Sequence, residues 1–536
     1  MKSSFLSFLI ASVSCAAATA QTQSFKYTAS DASTAGPAAF GHAVGMDDDY
    51  VVIGSRNALI GGVDIGAAYV YDRNTGVELY QITPPDGASD NKFGFAVAVQ
   101  NGIAFIGSPH HDVAGTENGE VYIYDLSTGL EIGRLAPTVL ADDGHFGIGV
   151  DVEGNIAVVG AFTRSPLGTD SGEVFVFDWT TGTQLHALTA SDGAAGDKLG
   201  WTVAIDGGKI LAGADFDGDL GVESGSAYIF DAATGAELHK LLPSDGATGD
   251  HFGWKLDMEN GLAVVGSQYH DLVGAQDAGA VYAFDVATGN QLAKYTAPDA
   301  SAADEFGFSV DLDGTRLVVG APYQDSADAN AGAVYVLDAA TGALEIKWLA
   351  GDAEASDLFG ASVLLDGDTM IVGSTFDDDI TINAGSAYQI ELGSCIVKYC
   401  TVATGSTNNT SVLDASGPFL SSAITLDLSN GPAGEFTYLL IGSGSSVVSN
   451  PAGAQGDLCI LGGSLGRYVL DFGPISGSGT FSTDISNSAS GGPGFGIPNS
   501  GGAAILTGET WNFQYWHRNP GGAPSGFSEA VSVTFK

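Results

Sequence analysis

Cysteines, cationic residues and long apolar runs are all scarce in this chain of 536 residues. Of its 4 cysteines, Cys15 falls in a leader and Cys395, Cys400 and Cys459 lie in the last quarter. Everything before Cys395 therefore has to hold together without a bridge. In an exported chain Cys400–Cys459 is a plausible disulfide, and Cys395 stands as the other available partner. Lys and Arg number 18 against 63 Asp and Glu, a formal net charge of −45. That balance excludes the electrostatics on which nucleic-acid and anionic-membrane binding rest. Beyond the leader, no stretch approaches the ~20 apolar residues that a transmembrane segment needs. A nucleophile elbow, a zinc-type spacing and a phosphate loop are all missing. The chain is nonetheless no disordered polyanion, because 44% of it is hydrophobic and its aromatics are spread throughout.

The leader is residues 1–20. Lys2, the apolar "FLSFLIASV" and the small-residue "AAATA" make a secretory signal, with cleavage after Ala20 leaving Gln21 first. A lipoprotein site at Cys15 is the weaker alternative, since Ser12 stands where Leu is usual. The expectation is an exported protein, secreted or held at the cell surface.

A repeat dominates the chain beyond the leader. Phe40-Gly41, Phe93-Gly94, Phe146-Gly147, Leu199-Gly200, Phe252-Gly253, Phe306-Gly307 and Phe359-Gly360 are spaced by 53, 53, 53, 53, 54 and 53 residues. Each pair opens an alternating run such as "FGFAVAV". Next come a tight turn and an apolar run ending in Gly and a small residue, as in "AVVGA". A longer loop leads to a third run such as "SAYIFD", and an "xxTG" turn leads to a fourth, such as "ELHKLL". Short runs rich in Val, Ile, Phe and Tyr between Gly-containing turns are antiparallel strands. Four strands per ~50-residue period make one propeller blade. The fold expected is all-β: a seven-bladed β-propeller over 21–392. The seventh copy lacks a fourth strand, and "SFKYTASD" at 24–31 supplies one from the N-terminus to latch the ring.

This grammar resembles the FG-GAP repeat, the unit of the integrin α-chain propeller. The signature stands most fully at Phe306-Gly307 with Gly320-Ala321-Pro322, and nearly so at Gly107-Ser108-Pro109. The resemblance covers roughly 24–392 and implies a binding and adhesion scaffold.

In such a ring the strand 1–2 and 3–4 turns share one face, and the longer 2–3 and 4–1 loops share the other. The long-loop face is the expected functional face. Two acidic series recur there. Asp197, Asp250, Asp304 and Asp357 stand two residues before the Phe-Gly position; Asp86, Asp192, Asp245, Asp299 and Asp352 stand seven before it. They are read first as turn-fixing residues and second as cation ligands. In the blade-four loop Asp215, Asp217, Asp219 and Glu223 fall at relative positions one, three, five and nine, the alternation of a calcium loop. The resemblance adds weight, since integrin propellers carry Asp-rich calcium hairpins, although those lie between strands 1 and 2. Asp377, Asp378 and Asp379 form a second acidic cluster. Asp112, Asp271, Asp325 and Asp378 share one repeat position, with His110, His111 and His270 beside the first two. No third partner for a His-Asp pair is evident within one blade, so these read as surface or corner residues.

From residue 393 to 536 Gly, Ser, Asn and Pro become dense, while strand-like runs such as "FTYLLIG" and "WNFQYWHR" persist. A small β-sandwich is expected, similar to a C-terminal module of exported planctomycete proteins. Trp511, Tyr515 and Trp516 are read as core rather than as a sugar platform.

The combined reading is a non-catalytic, exported binding and adhesion protein, with calcium as its possible cofactor. Its expected partner is an extracellular protein or glycan. The rivals are an extracellular polysaccharide lyase or hydrolase and a self-associating surface-layer component. An enzyme would need an asymmetric cluster of His, Tyr, Arg or carboxylates at one pocket, whereas the acids are spread evenly along the repeats.

Overall fold

The computed structural model describes residues 22–392 except 32–37, 114–115 and 140–142, and beyond these a set of C-terminal strands. The propeller unit spans Ala20–Gly393 and a second unit includes Ser394–Lys536. Seven four-stranded antiparallel sheets make up the propeller. Blade four shows the pattern: Val203–Asp206, Lys209–Ala214, Ser226–Asp231 and Glu237–Leu241 pair in sequence order. Its second and third strands are buried along nearly their whole length, because each face of a blade packs on a neighbouring blade.

The ring closes as the repeat demands. Thr22–Tyr27 pairs antiparallel with Ser386–Glu391, so the last blade holds three C-terminal strands and one N-terminal strand. Lys26 secures this latch with ion pairs of 2.8 Å to Asp352 and Asp377 and a third to Asp379.

The hydrophobic core is divided among the seams. Each cluster takes residues from two adjacent blades: Val52, Val70 and Ile82 of blade one meet Phe93, Ile106 and Tyr122 of blade two. Tyr27, Ile371 and Ala387 of blade seven meet Phe40, Val51 and Tyr69 of blade one. The repeat's Phe is fully buried and meets a third-strand aromatic edge-on, as in Phe93–Tyr122 at 5.3 Å. Burying such a ring contributes about 2–3 kcal/mol. The repeat's glycines set the seam spacing. A Cβ on Gly373 would lie 2.0 Å from the carbonyl oxygen of Gly41, where the ring closes.

The tight-turn face carries a second seam device that the sequence reading missed. Asp47 accepts the Gly102 N–H at 2.6 Å, Glu153 accepts the Gly207 and Gly208 N–H groups at 3.0 Å, and Asp206 accepts the Asn260 N–H at 2.7 Å. Each acid reaches from one blade's turn to the next.

In the C-terminal unit Thr510–Arg518 pairs with Phe436–Ser443 and with Val531–Thr534. The sandwich packing, the burial of Trp511, Tyr515 and Trp516, the cysteine pairing and the 1–20 leader lie outside the described residues. Among the described residues no helix is long and apolar enough to cross a membrane.

Candidate binding site at the mouth of the central channel

The seven first strands run the same way down the ring, from the long-loop face to the tight-turn face. Between them lies a cavity of about 210 Å³. Its lining comes from the second to the fifth residues after each Phe-Gly position's first member, and the chemistry changes with depth.

Deeper in the channel stand Asp151, Asp257 and Asp311. Each reaches the next blade: Asp151 accepts the Ile205 N–H, Asp257 the Leu312 N–H and Asp311 the Leu365 N–H, all at 2.7 Å. Enclosure by the ring pushes the Asp151 carboxyl up to about 7 and raises Asp257 and Asp311 as well, since each loses solvation and feels other acids.

Toward the long-loop face the lining turns aromatic and cationic. Phe95 lies against His42 at 4.7 Å and against Trp201 at 6.4 Å between ring centroids. Trp201 stacks on Trp254 at 5.2 Å, and Trp254 meets Phe308 at 5.8 Å. Phe162 meets the Trp201 ring edge-on at 4.9 Å. Three cations join this rim. The Arg56 guanidinium lies 5.2 Å from the centre of the Phe95 ring and 3.3 Å from Nε2 of His42. Lys198 sits 3.5 Å from the centre of the Phe216 ring. Lys255 lines the cavity, and its burial and the nearby Arg56 pull its ammonium down to about 8. Burial, with Arg56 and Lys255, also holds His42 well below the usual imidazole value.

The cations are distinctive because of what they lack. The other lysines and arginines of the described propeller each hold a carboxylate within ion-pairing distance. Among the described residues, Arg56, Lys198 and Lys255 do not. The indole nitrogen of Trp201 is buried in the same wall without an acceptor. The rim thus presents donors and aromatic faces in a molecule of net charge −45.

This site was absent from the sequence reading, which took the charges as evenly spread. The structure gathers an asymmetric cluster because the ring brings one residue per blade to a single axis. Its signal was present in the repeat: Lys255, Asp151, Asp257 and Asp311 interrupt first strands that elsewhere alternate small and apolar residues.

The acidic residues singled out from the sequence separate by role. Asp197, Asp250, Asp304 and Asp357 accept the N–H three residues back, as Asp250 does from Ala247 at 2.9 Å. That is the turn-fixing role expected. The other series has a different one. Asp192 accepts the Tyr228 hydroxyl at 2.9 Å and pairs with Lys240 at 2.8 Å, and Asp86, Asp245, Asp299 and Asp352 repeat this with their own Tyr and cation.

The blade-four loop divides its four acids between Lys240 and His251. Lys240 lies 2.8 Å from Asp217 and 2.7 Å from Asp219. Asp215 and Glu223 instead face His251, at 3.3 and 3.7 Å. In blade seven Asp377 and Asp379 are held by Lys26 at the latch.

Asp112, Asp271 and Asp325 cap their own loops, accepting the N–H of Glu117, Asp277 and Asn330. His270 is a corner residue between Asp250 at 2.8 Å and Lys294 at 2.6 Å. His111 belongs to a cluster with Asp86 and Glu120, and Arg134 already pairs with both of those acids. His110 departs from the sequence reading. Glu117 of its own loop and His145 of the next blade join it, with their ligand atoms within 4.8 Å of one another.

The architecture defines a seven-bladed propeller, a scaffold of the binding type. The FG-GAP repeat model matches residues 22–71, 77–124, 131–177, 183–230, 236–284, 290–337 and 344–390, more than half of the chain. The chain therefore belongs to the FG-GAP repeat family. Each matched unit starts on a fourth strand and ends on the next blade's third, so the first unit begins with the latch strand. FG-GAP propellers are typically non-catalytic scaffolds. No curated protein compared with the chain matches it.

Proposed function

We propose that the chain is an exported binding and adhesion protein that receives a glycan bearing an isolated acidic group at the mouth of the central channel. The observation that supports this is the convergence of Arg56 and Lys255, neither with a carboxylate partner among the described residues, on an aromatic rim that Lys198 borders through Phe162. Their charge is left for a ligand to neutralise, and the Trp201–Trp254 stack offers apolar surface of the kind sugar rings take. A net charge of −45 disfavours a polyanion at long range, but screening confines that repulsion to about 8 Å at physiological salt. A single acidic sugar within a largely neutral glycan meets both conditions.

The test is tryptophan fluorescence of the full chain titrated with an oligosaccharide ending in a uronate, beside the same oligosaccharide reduced to its neutral alcohol. Saturable binding of the acid form alone, weakened at least tenfold in Lys255→Met, supports the reading. Equal binding of both forms overturns it. Binding of an acidic peptide in place of the glycan would assign the site to a protein partner. Shortening of the oligosaccharide in the same mixture would favour the lyase or hydrolase reading. Calcium remains part of this proposal through Asp215, Asp217, Asp219 and Glu223, where it has to displace Lys240 from two of the four.

A further inference from the structure

Away from the channel, the seam between blades two and three holds a cluster that takes no part in the channel site. His110 and Glu117 come from the 2–3 loop of blade two, and His145 stands just before Phe146 of blade three. The seam backbone sets them opposite one another: the His145 N–H donates to the Glu117 carbonyl at 3.1 Å, and both residues adopt positive φ, 50° and 49°. The same left-handed pair recurs at other seams, as in Glu223 with His251 and Asp277 with Glu305, so the repeat's own backbone is what presents both side chains to the same space.

The hydrogen-bond chain assigns the imidazole's orientation. Thr163 donates its only hydroxyl proton to the Asp143 carbonyl, so at 2.6 Å it accepts from Nδ1–H of His145. Nε2 of His145 is thereby the nitrogen turned to Glu117, 3.0 Å from its carboxylate. The other carboxylate oxygen lies 3.7 Å from Nδ1 of His110, and that nitrogen is buried with no hydrogen-bond partner. The two imidazoles meet edge-on at 4.8 Å. At three other acidic corners of this face a Lys or Arg stands between the carboxylates: Arg134 between Asp86 and Glu120, Lys240 between Asp217 and Asp219, Lys26 between Asp352 and Asp377. The equivalent seam of blade four has a single histidine, His251, facing Asp215 and Glu223, where this one has two. A lysine near this cluster, Lys92, is paired with Asp64 and Asp90 instead. Among the described residues, Glu117 has only the two histidines as ion-pairing partners.

We propose that His110, Glu117 and His145 form a binding site for a divalent transition ion of the zinc class, which staples blade two's loop to blade three. Two imidazole nitrogens and one carboxylate are the donor set that such ions favour over calcium or magnesium, whose ligands are oxygens. The Thr163 hydroxyl on Nδ1 of His145 is the supporting contact that fixes a ligand imidazole's tautomer. Three protein ligands leave a coordination position open to water.

The test uses the full chain, stripped with chelator and dialysed into excess magnesium so that sites built only of oxygen are occupied. Zinc is then titrated by calorimetry, and cobalt is added in parallel as a spectroscopic probe. The expected result is one ion per propeller, a rise in unfolding temperature on binding, and a cobalt absorption spectrum of nitrogen-ligated type. His110→Gln and Glu117→Gln should each weaken zinc at least tenfold. Unfolding temperatures in chelator show that the variants are folded. Zinc binding unchanged in both variants overturns the site, as does the absence of zinc binding by the folded wild-type chain.

Discussion

Gly160 and Gly200 lie on adjacent blades so close together that a Cβ on Gly160 would stand 1.8 Å from the Gly200 carbonyl oxygen. Backbone cannot yield as a flexible side chain does, so the seam itself would have to open. Gly160→Ala is expected to destabilise the propeller by at least about 2–3 kcal/mol, the range for overpacking a closed interior. Gly154→Ala is the control. It sits on a turn with nothing near its would-be Cβ but with φ of +59°, so only backbone strain acts there. Urea unfolding should rank Gly160→Ala well below Gly154→Ala; equal losses would mean that the close approach at the seam carries no special cost.

The same pair shows why the fold was legible. Phe-Gly and the strand-two Gly are seam contacts repeated in every blade, and a contact made once per blade appears in the sequence as a period. The turn-fixing aspartates were legible for the same reason. The channel rim was not. Arg56 and Lys255 occupy different repeat positions on different blades, and only ring closure brings them together. The cluster of His110, Glu117 and His145 was hidden similarly, since its members straddle a blade boundary. The calcium spacing of Asp215 to Glu223 was visible in the sequence, but Lys240 arrives from the fourth strand and divides it.

Acidification from pH 8 to pH 6.5 should stabilise the propeller. Burial and the neighbouring Asp277 push the Glu305 carboxyl up to about 8, and enclosure pushes Asp151 up to about 7. A carboxyl raised in the folded state binds more protons folded than unfolded between its unfolded value and its folded one. Stability therefore falls as pH rises through that window. Lys255, pulled down to about 8, acts in the opposite sense at the top of this interval, and His42, held below its ordinary value of 6.5, does so at the bottom, but each titrates there only in part, while Glu305 and Asp151 together release protons across the whole of it. Glu305→Gln should flatten the slope of unfolding temperature against pH and raise stability at pH 8. A slope unchanged by the substitution would mean that Glu305 ionises freely in the folded protein.

One lysine supplies the ion pairs of the latch. Lys26 is about one-fifth exposed and holds three carboxylates across the first and last strands of the ring. Lys26→Met keeps much of its apolar stem and leaves Asp377 buried without its cation. The expected loss is about 3–5 kcal/mol, the cost of breaking a buried pair from one side. Proteolysis should then cut first within the N-terminal strand. Lys26→Met together with Asp377→Asn should recover part of the loss, because the stranded charge is then gone.

Lys240 decides how the blade-four loop answers calcium. Its ammonium stands within 2.8 Å of Asp192, Asp217 and Asp219, and Asp217 is nearly fully buried. An ion entering there must displace a cation already in place, so its net gain in the wild-type chain is the difference between two favourable interactions. Lys240→Met removes the competitor and leaves three acids facing one another. In chelator this variant should unfold at a lower temperature than the wild type, because like charges in a partly buried site repel. In calcium it should recover, since an ion that binds only the folded state adds stability as the logarithm of its concentration over its dissociation constant. The wild-type chain should shift less over the same calcium range. A large wild-type shift, lost in Asp215→Ala with Asp217→Ala, would instead show that the loop rearranges and Lys240 yields. No calcium response in either chain would leave Asp217 and Asp219 as the anchors of Lys240 and nothing more.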